Sequence, residues 1–216
     1  MTIQTMLGLL AQGFLTTLAI FFLTLTGSLL LGLPVALGRM SRYGVVRGAI
    51  KVYISIMRGP PLMLQLMVVY FGPSLLLGLS LPANWRFAAV IVAFVINYAA
   101  YFGEIYRAGI EAISDGQREA AQVLGYTRGQ TFFKIILPQM VKRVLPPVTN
   151  EVITLVKDTS LAFTLAYQEV FSLAKQISAS QTSFMPFLVA GIFYFVANYG
   201  VEFAMSRIEK ALDYYR

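Results

Sequence analysis

The feature that most limits the possible folds is the start of the chain. Its first 38 residues carry no charged side chain, and Arg39, Arg42, Arg47, Lys51 and Arg58 follow at once. Within that stretch, residues 13–38 are long enough to cross a hydrocarbon core, which takes about 20 helical residues. A cleaved signal peptide would need a basic start and a small-residue cleavage site, and neither is present. Uncharged runs recur at residues 59–85, 87–103 and 176–201, and residues 144–166 form an apolar run broken by Glu151, Lys157 and Asp158. Backbone polar groups in lipid are satisfied only within a helix or a closed barrel. These runs exceed the alternating segments of about ten residues that a barrel uses. The expected fold is all-α: one membrane domain over residues 1–216 with five transmembrane helices, no internal repeat and no linker.

Composition agrees. Only 12% of the 216 residues are charged and mean hydropathy is +0.70, where a soluble domain carries roughly 25% charged residues. With no Cys and no His, disulfides, thiol and imidazole chemistry and the commonest zinc sites are excluded. No Gly-Lys dipeptide exists to form a Walker A phosphate loop. The net charge of +7 does not point to nucleic acid, because the basic residues lie between apolar runs. With the basic flank after the first span held in the cytoplasm, the N-terminus lies outside and the C-terminus inside. On that topology all 17 Lys and Arg except Arg86, Lys157 and Lys175 fall in cytoplasmic segments. Arg207, Lys210 and Arg216 close the count.

Residues 104–143 form the longest cytoplasmic loop on this reading. Its "REAAQVLG" stretch favours a helix, with Gly125 suited to a helix C-terminus. "TRGQTFFKIIL" then resumes an amphipathic pattern in which Phe132, Phe133, Ile135 and Ile136 cannot all face water, and Pro138 is expected to close it. A helix, a glycine turn and a second helix with spare apolar surface make a docking element for another protein.

The stretch "EAAQVLGYTRGQTFFKIILP" resembles the cytoplasmic EAA loop of permease subunits of bacterial ABC importers. Glu119, Ala120, Ala121, Gly125, Ile135, Leu137 and Pro138 match the family pattern without a gap. "RGPPLMLQLMVVYFG", "GEIYRAGIEAISDGQREAA" and "LPPVTNEVITLVKDTSLA" are similar to the polar amino acid importer branch, and the resemblance runs over essentially the whole chain. It implies a multi-pass protein of the bacterial inner membrane that pairs with a second permease subunit, identical or sister. Two cytoplasmic ABC ATPase subunits bind ATP and Mg, so this chain needs no cofactor and is itself no enzyme. An extracytoplasmic binding protein delivers the amino acid. The coupling loop, about residues 108–140, would sit in a groove on the ATPase, and nucleotide would bias a bistable bundle.

Polar residues inside the spans point to a path. Glu151, Thr154 and Asp158 are spaced to share one face of the fourth helix, with Asn150 and Lys157 beside them. Asn97, Tyr101 and Glu104 repeat that spacing on the third helix, and Tyr194, Asn198 and Glu202 on the fifth. A charge at the centre of a span costs at least ~2.5–3.5 kcal/mol on insertion scales, so these groups need partners or a wet cavity. Either Lys157 pairs with an acid and the cluster only locks the bundle, or Glu151, Asn97, Tyr101, Asp158 and Thr154 line the substrate path. A free carboxylate at Glu151 suits an ammonium or guanidinium group and favours a basic amino acid: arginine, lysine or histidine. Lys157 in the path would favour a carboxylate instead. Glu104 and Glu202 are expected to be structural. An ion-coupled secondary transporter would favour inverted repeats and broken helices, which fits five spans and a docking loop poorly. An intramembrane enzyme would have only an Asp pair or a Ser/Lys pair to work with.

Overall fold

The computed structural model describes residues 1–212, and among them every regular element is helical. Arg216, counted above among the cytoplasmic cations, lies outside the described residues. α1 (Ile3–Arg39) starts from a Thr2 side chain that accepts the Thr5 N–H and runs through Pro34. At 1.5 Å per residue its 37 residues extend about 55 Å, well beyond a hydrocarbon core of about 30 Å. Its flank is apolar all round, so composition does not mark a buried face. Size marks it instead: Gly13, Thr17, Thr24, Ser28, Gly32 and Ala36 form one buried stripe, and small residues let membrane helices approach closely. α4 (Trp85–Glu111) answers with Gly103, where a Cβ would lie 2.5 Å from Val35 Cγ1 and 3.4 Å from the Gly32 carbonyl.

α2 (Gly44–Arg58) and α3 (Leu62–Leu77) are where expectation and structure part. The basic run 39–58, read as a loop, is mostly a helix. Arg47, Lys51 and Arg58 share one stripe of α2, and Ile50, Ile54 and Met57 turn inward. α2 and α3 meet at 109° across Gly59–Pro61, where glycine is followed by two prolines that supply no backbone N–H to carry α2 onward. The second expected span is therefore half of a broken one, only 16 residues long.

α5 (Asp115–Val123) and α6 (Arg128–Thr131) form the polar hairpin after α4. A π-helical turn, Phe132–Ile136, leads directly into α7 (Leu137–Asp158). Pro138 thus opens a helix rather than closing one. It sits in the first turn of α7, and the wider π turn before it, with the Leu137 N–H reaching back to the Phe132 carbonyl, makes room for the ring. A 3₁₀ segment, Thr159–Leu165, continues from α7. The fifth expected span is split: α8 (Val170–Gln181) ends at Thr182, whose φ is +47°, before α9 (Met185–Leu212) begins.

Among the described residues three helices, α1, α4 and α9, are long and apolar enough to cross a membrane, and the bent α2–α3 pair makes a fourth crossing if counted as one. α7 carries too many charges to qualify, so a count of five is not established. The main core joins α1, α3, α4 and α7 around Phe94, Tyr98, Phe102 and Leu155, and a smaller one packs α8 and α9 on the first half of α1.

Candidate functional site

The break between α2 and α3 frees backbone carbonyls, and non-helical backbone at membrane depth is tolerated where protein satisfies it. Two side chains do so. Gln65 Nε2 donates to the Met57 carbonyl at 2.9 Å and to that of Pro60 at 3.0 Å. Asn97 Nδ2 donates to Met57 O at 2.7 Å and to Gln65 Oε1 at 3.0 Å. Asn97, only 4% exposed, thus holds the break against the middle of α4.

One turn further along α4, Tyr101 lies under the Arg58 guanidinium, 4.9 Å from ring centroid to Cζ. Its ring is 6.1 Å from that of Tyr98, and the Tyr98 hydroxyl donates to Asp158 Oδ2 at 2.8 Å. Glu151 is half-buried on α7, about 10 Å along the helix from Asp158 by helical rise. Among the described residues no salt bridge joins Glu151 to Arg58. The structure therefore gathers Tyr101, Glu151 and Asp158 on the α2–α4–α7 wall, with Asn97 behind it. Thr154 is exposed, and its hydroxyl donates to the Asn150 carbonyl of its own helix.

Among the described residues no salt bridge joins Lys157 to Glu151 or Asp158, although the Lys157 charge does act on Asp158. Glu104 is engaged by Arg39 at 3.7 Å and Arg107 at 2.6 Å, and Arg107 also pairs with Glu111.

Sequence reasoning missed two members of this wall and one buried acid elsewhere in the bundle. Arg58 was counted with the basic flank, and Tyr98 has no spacing signal that separates it from core aromatics. Glu169, fully buried, caps α8 by accepting the N–H groups of Phe171 (2.7 Å) and Ser172 (2.6 Å), and it takes the Tyr194 hydroxyl at 2.9 Å. Its one local signal is a carboxylate immediately before an apolar helical run.

The hairpin is built from matched stop and start signals. α5 ends in a Schellman motif: Tyr126 N–H bonds the Ala121 carbonyl and Gly125 N–H that of Gln122, both at 3.0 Å, with Gly125 at φ +77°. α6 starts with a capping box in which Thr127 Oγ1 accepts from Gln130 N and Gln130 Oε1 accepts from Thr127 N. Ala121 and Ile136 point inward, Ile135 and Leu137 are half-buried, and Glu119, Ala120 and Pro138 are exposed. Val123 (88% exposed), Leu124 (74%) and Phe133 (67%) leave an apolar ridge outward, while Phe132 packs on the core.

A helical membrane protein with charged groups between its helices and a polar hairpin carrying an apolar ridge is a transport permease in architecture. The chain belongs to the family of binding-protein-dependent transport system inner membrane components, whose pattern matches residues 28–214. It is a permease subunit of an amino acid ABC importer. It is 36% identical over 202 residues to the arginine transport system permease protein ArtQ of Bacillus subtilis (strain 168), covering 93% of this chain and 91% of that protein. The L-cystine transport system permease protein TcyB of the same organism is 33% identical, covering 98% of this chain and 90% of that one. A solved structure described as an amino acid ABC transporter with histidines superposes with a TM-score of 0.86 at 32% identity, over 98% of this chain and 100% of that chain.

Proposed function

We propose that this chain forms the translocation path for a polar, basic amino acid (arginine, lysine or histidine) by alternating access, with Glu151 as the group that meets the substrate cation. The observation that carries the reading is a half-buried carboxylate with no salt-bridge partner among the described residues, on the wall that also holds Tyr101 and Asp158. An intramembrane acid without a permanent partner marks a pathway by default. The relative named for arginine and the solved transporter with histidines support the same choice. Asp158, held by Tyr98, closes the far end of the site, and Asn97 and Thr154 border it.

The second reading is a neutral or acidic amino acid. It is favoured by Lys157 and Arg58 on the same wall and by the relative named for L-cystine.

In either case the chain pairs with a second permease subunit and lies in the inner membrane with its N-terminus outside and its C-terminus in the cytoplasm. Two separate ATPase subunits bind ATP and Mg and hydrolyse ATP. They grip the α5–α6 hairpin through Val123, Leu124 and Phe133, and a separate binding protein delivers the amino acid.

Uptake of labelled arginine by the complex reconstituted in lipid tests the substrate. Glu151→Gln should lower affinity for basic amino acids by about tenfold or more, the range for losing one charge-assisted hydrogen bond. Unchanged affinity and selectivity would remove Glu151 from the site.

A further inference from the structure

We propose that Arg58 is the anchor for the α-carboxylate of the transported amino acid. This rests on the α2–α4–α7 wall being the substrate site, and it names a different group for a different half of the substrate.

Four observations lead there. Arg58 ends α2 directly before the break, and its guanidinium lies on the face of Tyr101. Among the described residues it has neither a salt bridge nor a hydrogen bond. A stacked guanidinium keeps its edge free, and that edge is a planar fork that fits a carboxylate bidentately. The third observation is that the break does not need it. Asn97 and Gln65 take the Met57 and Pro60 carbonyls, and the Gly59 N–H returns to the Ser55 carbonyl at 3.0 Å.

The fourth is the charge opposite. Glu151, on α7, is the half-buried acid of the same wall, and no ion pair of 4.0 Å or less joins it to Arg58. A cation and a carboxylate on one wall, not closed on each other, are the complement of a zwitterion, which carries its carboxylate and ammonium on one carbon. The other cation on this wall, Lys157, immediately precedes Asp158 in the chain, so Arg58 is the cation on the wall with no acid beside it in sequence. Every α-amino acid presents the same carboxylate, so this anchor serves whatever side chain Glu151 and Asp158 select.

The test uses the whole complex, permease with its ATPase subunits, in lipid nanodiscs. Binding is measured for arginine, lysine, histidine, glutamine and cystine, each against its α-carboxamide, which keeps the ammonium and side chain but removes the carboxylate charge. In the unsubstituted complex, the amino acid that binds should do so roughly 10- to 100-fold tighter than its carboxamide, the gap that one charge-assisted bidentate pair supplies. Arg58→Gln should bring the amino acid down to the carboxamide's affinity and leave the carboxamide unmoved, which also shows the variant is folded. Arg58→Lys should recover part of the gap, as a point charge without the fork.

Equal weakening of both ligands, no change in either, or no preference for the free acid at the outset each overturns the proposal. So does a complex that binds no free amino acid. If only glutamine or cystine binds, and Arg58→Gln erases its carboxylate preference, then the basic-substrate reading fails while the anchor stands.

Discussion

Asn97 offers the sharpest separation between holding the fold and holding the substrate. Both roles put an amide in the middle of α4, but only one uses its N–H groups up. In the structure Nδ2 donates to Met57 O at 2.7 Å and to Gln65 Oε1 at 3.0 Å. Asn97→Leu keeps most of the volume and removes both bonds. Met57 O retains its bond from Gln65 Nε2, so the main loss is at Gln65 Oε1, which becomes a buried acceptor without a donor. Interhelical side-chain bonds in membrane bundles are worth about 0.6 kcal/mol each and at most about 1.7, and an orphaned buried acceptor costs about 1–3 kcal/mol. The expected destabilisation is therefore about 1–3 kcal/mol, a 5- to 150-fold shift in the folding equilibrium. Trp85 is the only tryptophan, and its indole N–H donates to the Tyr70 carbonyl across α4 and α3 at 3.1 Å. Its fluorescence during unfolding in mixed detergent micelles therefore reports on the pair of helices that the amide clamps. If Asn97→Leu unfolds with the unsubstituted protein and instead loses substrate affinity, the clamp is wrong and Asn97 belongs to the path.

Four further outcomes follow from the packing and the backbone. Gly103→Val should destabilise the protein by about 1–3 kcal/mol through overpacking, since even a Cβ would stand 2.9 Å from Val35 Cβ. Gly116→Ala, with open space around it, should be neutral or stabilising in the same micelle unfolding assay. Glu169→Ala leaves two N–H groups and the Tyr194 hydroxyl without their acceptor and should cost about 2 kcal/mol or more. Limited proteolysis should then cut within α8 faster, and unchanged protection would show the cap to be dispensable. Gly125→Pro cannot reach φ +77°. It should abolish substrate-stimulated ATP hydrolysis in the reconstituted complex while the permease still inserts, and unchanged coupling would remove the hairpin from the coupling role.

Long apolar runs made α1, α4 and most of α9 legible in the sequence, and the gapless match over residues 119–138 made the hairpin legible. What failed, failed for identifiable reasons. α2 was read as a loop because charge was counted and period was not: Ile50, Ile54 and Met57 stand at i, i+4 and i+7, the mark of a helix with one buried face. The split between α8 and α9 hid because Thr182 and Ser183 are uncharged, and an uncharged stretch counts toward a span although its polar residues favour a turn. Pro138 was read as a stop, where a proline in the first turn is equally a start. The pairing of Tyr98 with Asp158 crosses 60 positions, and no local pattern encodes such a contact.

These misreadings bear on how the site is assembled. One wall is fixed: Asn97 and Gln65 tie the α2–α3 break to α4, α4 packs on α1 through Gly32 and Gly103, and Arg58 and Tyr101 ride on that unit. The other wall is α7, which carries Glu151 and Asp158 and descends, helical throughout, into the hairpin at Arg128. That helix is softened at two places, the π turn at 132–136 and the adjacent Pro146 and Pro147, where backbone hydrogen bonds are displaced or missing. Glu151 stands one turn beyond the prolines, and Asp158 beyond it is pinned to α4 by Tyr98. A push on the hairpin is therefore delivered to α7 below these soft points, where Met140, Val144 and Arg143 pack on the end of α4, while Asp158 stays pinned above them. Glu151 lies beyond the prolines and short of the Asp158 pin, so a bend at the prolines changes its distance from Arg58 more than it changes that of Asp158.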